Sequence, residues 1–352
     1  EVVVTAQKKE ENLQDTPIAI TAITESTIDD LDIANVVDLA GMAPNVHIIN
    51  TPSNNTAATI AMRGGVTINP AITWEPTVGM YLDGVYLGKG QGSIFDVVDL
   101  ERVEILRGPQ GTLYGRNTLG GAINLISKKP SGAGTSSKLT IGNYGLRQVQ
   151  FIGDYEMGGN VFSKLVVNKK KRGGYVTNDA SPLQAAQGVV PNSVASHLEL
   201  DTIDSDGVKF SILYEGDESS LNISFDRTDQ KNVPPFAQLT NTIPNWSAAF
   251  GVGASAATGG LKLWPIELFQ NDSRQGVAHI NTQTLETSVV SGQSLTFTQN
   301  LSFGELKAIY SKRKVDWDDV LDLDGGPFPI AETERHTKYD AETLEIQLTG
   351  ST

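Results

Sequence analysis

The chain has 352 residues, room for two or more ordinary domains, and a formal charge of -14 from 27 Lys and Arg against 41 Asp and Glu. That acidity argues against a phosphate-binding surface and so against nucleic acid. With no cysteine and only four well-separated histidines (His47, His197, His279, His336) there is no disulfide, no thiol nucleophile and no recognisable metal spacing.

Along the first part of the chain the pattern is mixed α and β. Pro17 to Ile23 is a short β-prone run. Asn35-Val36-Val37-Asp38 reads as an N-cap with an acid at the third helical position, opening a short helix that must end before Pro44. "VGMYLDGVYLG", Val78 to Gly88, predicts two short strands around an Asp83-Gly84 hairpin turn. "ERVEILR", Glu101 to Arg107, is a strand with Val103 and Ile105 on one face, and Arg107 shares that parity. Gly108 to Gly115 reads as a turn, because its glycines and proline break regular pairing, and "GAINLIS", Gly121 to Ser127, is another strand. The Pro/Gly/Ser stretch after Lys128-Lys129 reads as a linker.

Beyond the linker everything alternates. In "VKFSILYE" the residues Val208, Phe210, Ile212 and Tyr214 point one way, and Lys209, Ser211 and Glu215 the other. "LNISFD" from Leu221 and "SLTFTQNL" from Ser294 repeat the pattern, with weaker alternation near Leu139, Val149, Leu165, Leu306 and Leu344. This predicts about eight strands. Tight links at Glu156–Asn160, Gly216–Ser219 and Ser302–Gly304 alternate with long polar links at Lys171–Asp206, Gln230–Gln283 and Asp318–Thr337. An outer-membrane barrel alternates its connections in this way. Strands of a soluble β-sandwich alternate too, but a sandwich has no reason to put every long loop at one end. No run of about 18 apolar residues exists for a membrane helix, a test that barrel strands escape.

"AMRGG" at Ala61 to Gly65 is similar to the "IRG" box of TonB-dependent receptor plugs, and "VGMYLDGVYLG" with "DLERVEILRGPQGTLYGRNTLGGAINLISKKP", Asp99 to Pro130, resembles the signature that closes such a plug. With "IGNYG" and "KKRGGY" as first-strand features, the resemblance covers about residues 1 to 175. It implies an α+β plug domain followed by antiparallel transmembrane β-barrel strands. The domains would be a TonB box at 1–6, a plug at 7–130 and the N-terminal part of the barrel at 131–352. The barrel would be incomplete, since plugged lumens belong to barrels of about 22 strands. Its expected edges are the strands near Leu139 and Leu344, and the chain is then expected to be a fragment.

The resemblance also implies a function without catalysis or cofactor: TonB-dependent import of a scarce ligand, a ferric siderophore or other iron complex foremost, across the outer membrane of a Gram-negative bacterium. Oligosaccharide or cobalamin uptake is the alternative within the family. A secreted β-rich glycoside hydrolase is the alternative outside it, although no nucleophile elbow, P-loop or HExxH is present. The implied partners are TonB, the ligand and outer-membrane lipid.

"EVVVTA" is similar to a TonB box, so Val2, Val3, Val4, Thr5 and Ala6 are expected to contact TonB. The β-branched run favours an extended backbone that adds to a partner's sheet, while the alternative is an ordinary edge strand of the plug. Arg63 and Arg107 each end a strand beside glycine and are expected to be buried at the plug–barrel boundary, paired with wall acids. Asn69, Trp74, Lys89 and Gln91, in and after the segment "VTINPAITWEPT", are the expected ligand contacts. "DWDDVLDLDGG", Asp316 to Gly326, crowds five aspartates, but Val320 stands where a calcium loop needs its first aspartate. It is expected to be a solvated acidic outer loop without metal.

Overall fold

The computed structural model describes residues 2–33, 35–51, 54–68, 73–94, 99–179, 199–238, 240, 271–326 and 331–350. Ahead of Pro130 the chain forms three small sheets. A two-stranded one joins β1 (Val3–Val4) to β2 (Glu11–Asn12). β3 (Ile20–Thr24) leads through a short helix, α1 (Glu25–Asp30), to an antiparallel meander of β4 (Val46–Asn50), β5 (Ala58–Met62) and β6 (Gly65–Val66). The third sheet takes β3 together with β7 (Val78–Leu82), β8 (Val85–Tyr86), β9 (Leu100–Arg107) and β10 (Gly121–Ser127), in the order β3-β9-β10-β7-β8.

Local chemistry explains most of these elements. Asn35 accepts a hydrogen bond from the Val37 amide while Asp38 accepts one from the Asn35 amide, a complete capping box that starts the 3-10 helix Val36–Leu39. Asp83 (φ 52°) and Gly84 (φ 84°) adopt the left-handed pair that a two-residue hairpin demands. Val103 and Ile105 do face the core, packed with Ile23, Val36, Leu39, Ile48, Met62, Ile123 and Leu125. Two details differ from the sequence reading. The Gly108–Gly115 turn contains a helical turn, α2 (Gly111–Tyr114), which seats the Tyr114 ring edge-on against Tyr81. Helix α1 carries no periodic pattern and no side-chain cap bond, and its burial of Ile28 against the core is what holds it.

After Pro130 come β11 (Gly134–Gly142), β12 (Leu146–Gly158), β13 (Val161–Arg172), β14 (Val176–Asn178), β15 (Glu199–Leu200), β16 (Ile203–Glu215), β17 (Ser219–Asn232), β18 (Val277–Ala278), β19 (Leu285–Leu301), β20 (Gly304–Asp322) and β21 (Glu332–Gly350). Eight of them form one antiparallel sheet in the order β11-β12-β13-β16-β17-β19-β20-β21. Among the described residues it stays open, with β11 and β21 as its edges, as expected from the resemblance to plugged barrels of about 22 strands. The short strands β14, β15 and β18 make a separate sheet inside two of the long links. The third long link is narrower than expected, because pairing continues to Asp322 and resumes at Glu332.

Every second residue of the eight strands points away from the first unit. Toward the tight turns these outward residues are apolar and exposed, including Phe210, Phe225, Tyr310, Leu344 and Ile346, and Leu139 and Ile141 extend the apolar face along the edge strand β11. Toward the long links the outward face changes to ion pairs: Lys169–Asp206, Lys171–Asp204, Arg227–Asp229, Lys314–Asp340 and Lys338–Asp316. An apolar band capped by a charged belt is the outer surface of a sheet whose lower part faces lipid.

Candidate functional site

The inner face of the sheet grips the first unit at two heights. Near the tight turns, Lys164 of β13 meets Asp99 at 3.1 Å and Asp154 at 3.3 Å, all nearly enclosed. Lys209 of β16 meets Asp83 at 2.8 Å and also bonds the Ser127 hydroxyl. Burial alone would raise the Asp83 carboxyl, but the Lys209 ammonium and the Ser127 donors outweigh it and hold it below its ordinary value. Near the long links, Glu286 of β19 is wholly buried and accepts from the Asn55 amide (2.8 Å), the Thr56 amide (3.2 Å), the Thr56 hydroxyl and Trp317 Nε1 (3.3 Å). Asn55 Nδ2 donates to Asp201 at 3.0 Å.

Between these grips and the long-link end lies a cleft, lined among others by Ala58, Ile60, Trp74, Met80, Lys89, Gln91 and Ser93. Its enclosed space is about 50 Å³, far below the roughly 300–1,000 Å³ of a complete small-molecule site. By itself it is too small to enclose a small molecule. The cleft brings together three of the four expected ligand contacts. Trp74 is 57% exposed and free to stack. Lys89 is tied to Glu75 at 2.9 Å, and that ammonium holds the Glu75 carboxyl below its usual value. Gln91 is buried, so it shapes the cleft more than it presents to solvent. Asn69 lies outside the described residues.

Arg63 and Arg107 come to the same end of the first unit with different exposure. Arg63 is exposed at φ 49°, in the turn between β5 and β6, with its guanidinium over Gly108. Arg107 is half-buried, and its Nε has no hydrogen-bond partner. Among the described residues neither makes an ion pair with the wall. The turn places the Arg63 guanidinium against the Gly108 backbone, next in sequence to Arg107. Contacts that join the two units include those of Thr56, Asp83, Asp99, Lys164, Lys209, Glu286 and Trp317, and the sequence pattern marks none of these as a boundary residue. Alternation places Lys164, Lys209 and Glu286 on the inner face, which is a signal that they need partners, but it cannot say which.

The expected acidic outer loop is also corrected. Asp316, Asp318, Asp319 and Asp322 belong to β20, and Asp319 and Asp322 are buried. Asp319 forms a two-point contact with Arg335 on β21, and Asp324 accepts from the Gly326 and Ala331 amides.

The first residues lie at the tight-turn end. Val3 and Val4 pair with Asn12 and Glu11, and Val4 and Ala6 are buried with Tyr81, Leu106 and Ala122. Thr5 donates its amide (2.7 Å) and hydroxyl (3.1 Å) to Glu104. Val2 is half-buried and Val3 exposed. Lys8 sits over the Tyr114 ring and 3.1 Å from Glu345 of β21. In this state the segment is docked as an edge strand.

Comparison with known proteins gives these features a context. Residues 12–122 match the family model of the TonB-dependent receptor plug domain. The catecholate siderophore receptor Fiu of Escherichia coli strain K12 is 25% identical over 304 residues, covering 84% of this chain and 35% of that protein. The pesticin receptor of Yersinia pestis is 32% identical over 130 residues, 37% of this chain and 19% of the receptor. Among solved structures, the ferric yersiniabactin uptake receptor FyuA from Yersinia pestis superimposes with a TM-score of 0.69 at 15% identity, covering 95% of this chain and 46% of that one. The ferripyoverdine receptor of Pseudomonas aeruginosa gives 0.66 at 16% identity, over 99% and 41%. The chain thus spans about a third of the first curated relative and less than half of either solved structure.

Proposed function

Because this chain carries the plug domain of a TonB-dependent receptor and strands of its outer-membrane barrel, we propose that it serves the TonB-dependent import of a ferric siderophore. One observation carries the reading. A single seated plug presents a cleft at the long-loop end and an N-terminal strand at the tight-turn end, so ligand on one side and an energy-transducing partner on the other can act on the same body. The siderophore reading draws on the names of the relatives. The mechanism is binding. A ligand held by the outer loops rests on the floor around Trp74, and the docked Val2–Ala6 segment is then drawn out to add as a strand to TonB. Arg63, at the exposed strand end, is available to acids of barrel strands other than the eight seen here.

The test uses the full-length receptor in an iron-starved Gram-negative host stripped of its own siderophore receptors. Radio-iron is supplied as a catecholate and as a hydroxamate complex, with cobalamin and a maltooligosaccharide alongside. Saturable uptake of an iron complex that stops when TonB is removed is the expected result. Uptake of only cobalamin or the sugar, or uptake indifferent to TonB, would replace this reading.

A further inference from the structure

The plug loop that joins β4 to β5 is fixed to the barrel wall more fully than any role in the plug's own fold requires. Asn54 Oδ1 accepts from the Thr56 and Ala57 amides, which shapes the loop from within. The loop then presents the Asn55 amide, the Thr56 amide and the Thr56 hydroxyl to one carboxylate, Glu286, that belongs to β19. Trp317 of β20 closes the group: its Nε1 donates 2.9 Å to the Thr56 hydroxyl oxygen and 3.3 Å to Glu286. Thr56, Glu286 and Trp317 are all buried to within about one per cent. The hydroxyl of Thr56 accepts from one wall strand and donates to the next, so it is a shared node and not a passive neighbour.

The same loop leads directly to the cleft. The Thr56 carbonyl accepts from the Ile94 amide at 3.0 Å, and the Ala58 amide donates to the Ser93 hydroxyl at 3.0 Å. Ala58 and Ser93 line the cleft. Gly92, between them, lies flush against Val290 and Ser288 of β19, with no room for a side chain. The wall therefore holds both segments that flank the floor of the site, strand β5 and the turn at Gly90–Ile94.

We propose that Glu286 and Trp317 are positioning residues that bolt the plug's upper loop to the wall: they hold the cleft in shape at rest, and the bolt must open before the plug can move. The carboxylate suits this task. Its desolvation is tolerated only while its four donors stay in place, so partial withdrawal of Thr56 leaves a buried acceptor unsatisfied and favours complete release. The bolt is thus closed or open, with little between. The second half of the proposal, release during transport, rests on the proposed import function; the first half does not.

Two measurements separate these halves. Hydrogen–deuterium exchange on the purified full-length receptor in detergent needs no ligand. Glu286→Ala should speed exchange of the amides at 54–60 roughly ten-fold or more, and the near-isosteric Thr56→Val and the smaller, donor-free Trp317→Phe should speed it less, while peptides around Asp83 and Asp99 stay unchanged. Equal rates in wild type and Glu286→Ala overturn the bolt. The second measurement exploits the absence of cysteine from these 352 residues, with any cysteine elsewhere in the receptor replaced by serine. In the doubly substituted receptor Thr56→Cys, Glu286→Cys, a short reducible bifunctional thiol reagent joins the two sites in cells. Surface binding of the radio-iron catecholate complex should persist, its uptake should cease, and a reductant should restore it. Continued uptake in the cross-linked receptor overturns the release half. If wild type itself imports no iron complex, the proposed function fails and the exchange result alone decides on the bolt.

Discussion

At Gly92 the plug backbone, at φ 67°, passes so close to the wall that a Cβ there would collide with Val290 Cγ2. Gly92→Ala therefore combines a left-handed strain with overpacking against a β-strand that cannot retreat, a cost of about 1–3 kcal/mol. The thermal midpoint of the full-length receptor in detergent should fall, and a wild-type midpoint would show that the plug does not sit where it is placed. A second residue, Asp83, gives a pH signature. Its carboxyl is held below the ordinary 3.8, chiefly against burial, by Lys209 and Ser127. A depressed folded value means that the stabilisation is present above the unfolded value and is lost as the pH falls through the lower folded one. Asp83→Asn should therefore unfold more easily than wild type at about pH 7 and approach it near about pH 3. Urea denaturation at both pH values checks this, and parallel curves throughout would remove Asp83 from the seating of the plug.

Among the elements, β1 carries the clearest consequence. It is two residues long, pairs with β2, and depends on Glu104 for the hydrogen bonds of Thr5. Such a strand has little to hold it apart from Val4 and Ala6 in their apolar pocket. Low local stability is what a segment must have if it is to leave the plug for a partner's sheet. Val4→Pro removes a main-chain donor and fixes φ, so uptake should be abolished while surface binding of the iron complex remains. Because Val4 is also buried, the exposed Val3→Pro serves as a control for damage to the core. Uptake at the wild-type rate in both variants would take the segment out of the mechanism. Helix α1 stands at the other extreme: its six residues answer to Ile28 and the core, and no partner needs to be invoked for it.

For the molecule as a whole, the decisive fact is that the eight-stranded sheet is open. β11 and β21 each have a neighbour on one side only. Their free backbone donors and acceptors sit next to an apolar outer face carried by Leu139, Ile141, Leu344, Ile346 and Leu348. Lipid does not tolerate unpaired backbone groups, and water does not tolerate the apolar face. A polypeptide of these 352 residues alone should therefore fail to insert into liposomes and should aggregate on removal of denaturant. A protease-resistant, membrane-inserted monomer would contradict the open edges.

Much of this was legible in the sequence because it depends on neighbours a few residues apart. The Asn35–Asp38 cap, the Asp83-Gly84 hairpin and the alternation of Val208 to Tyr214 are statements about local backbone preference and a two-residue period, and the eight strands and their two edges follow from counting them. Alternation also separated the faces of this segment: Lys209 had to point inward if Val208, Phe210, Ile212 and Tyr214 faced lipid. What the linear order could not contain is which partner each inward charge meets. Glu286 finds Thr56 some 230 positions away, and Lys209 finds Asp83 across 126 positions. Those pairings are set by strand register, by the depth at which the plug sits and by the shape of facing surfaces. These are properties of two folded bodies in contact, so only the tertiary structure could decide them.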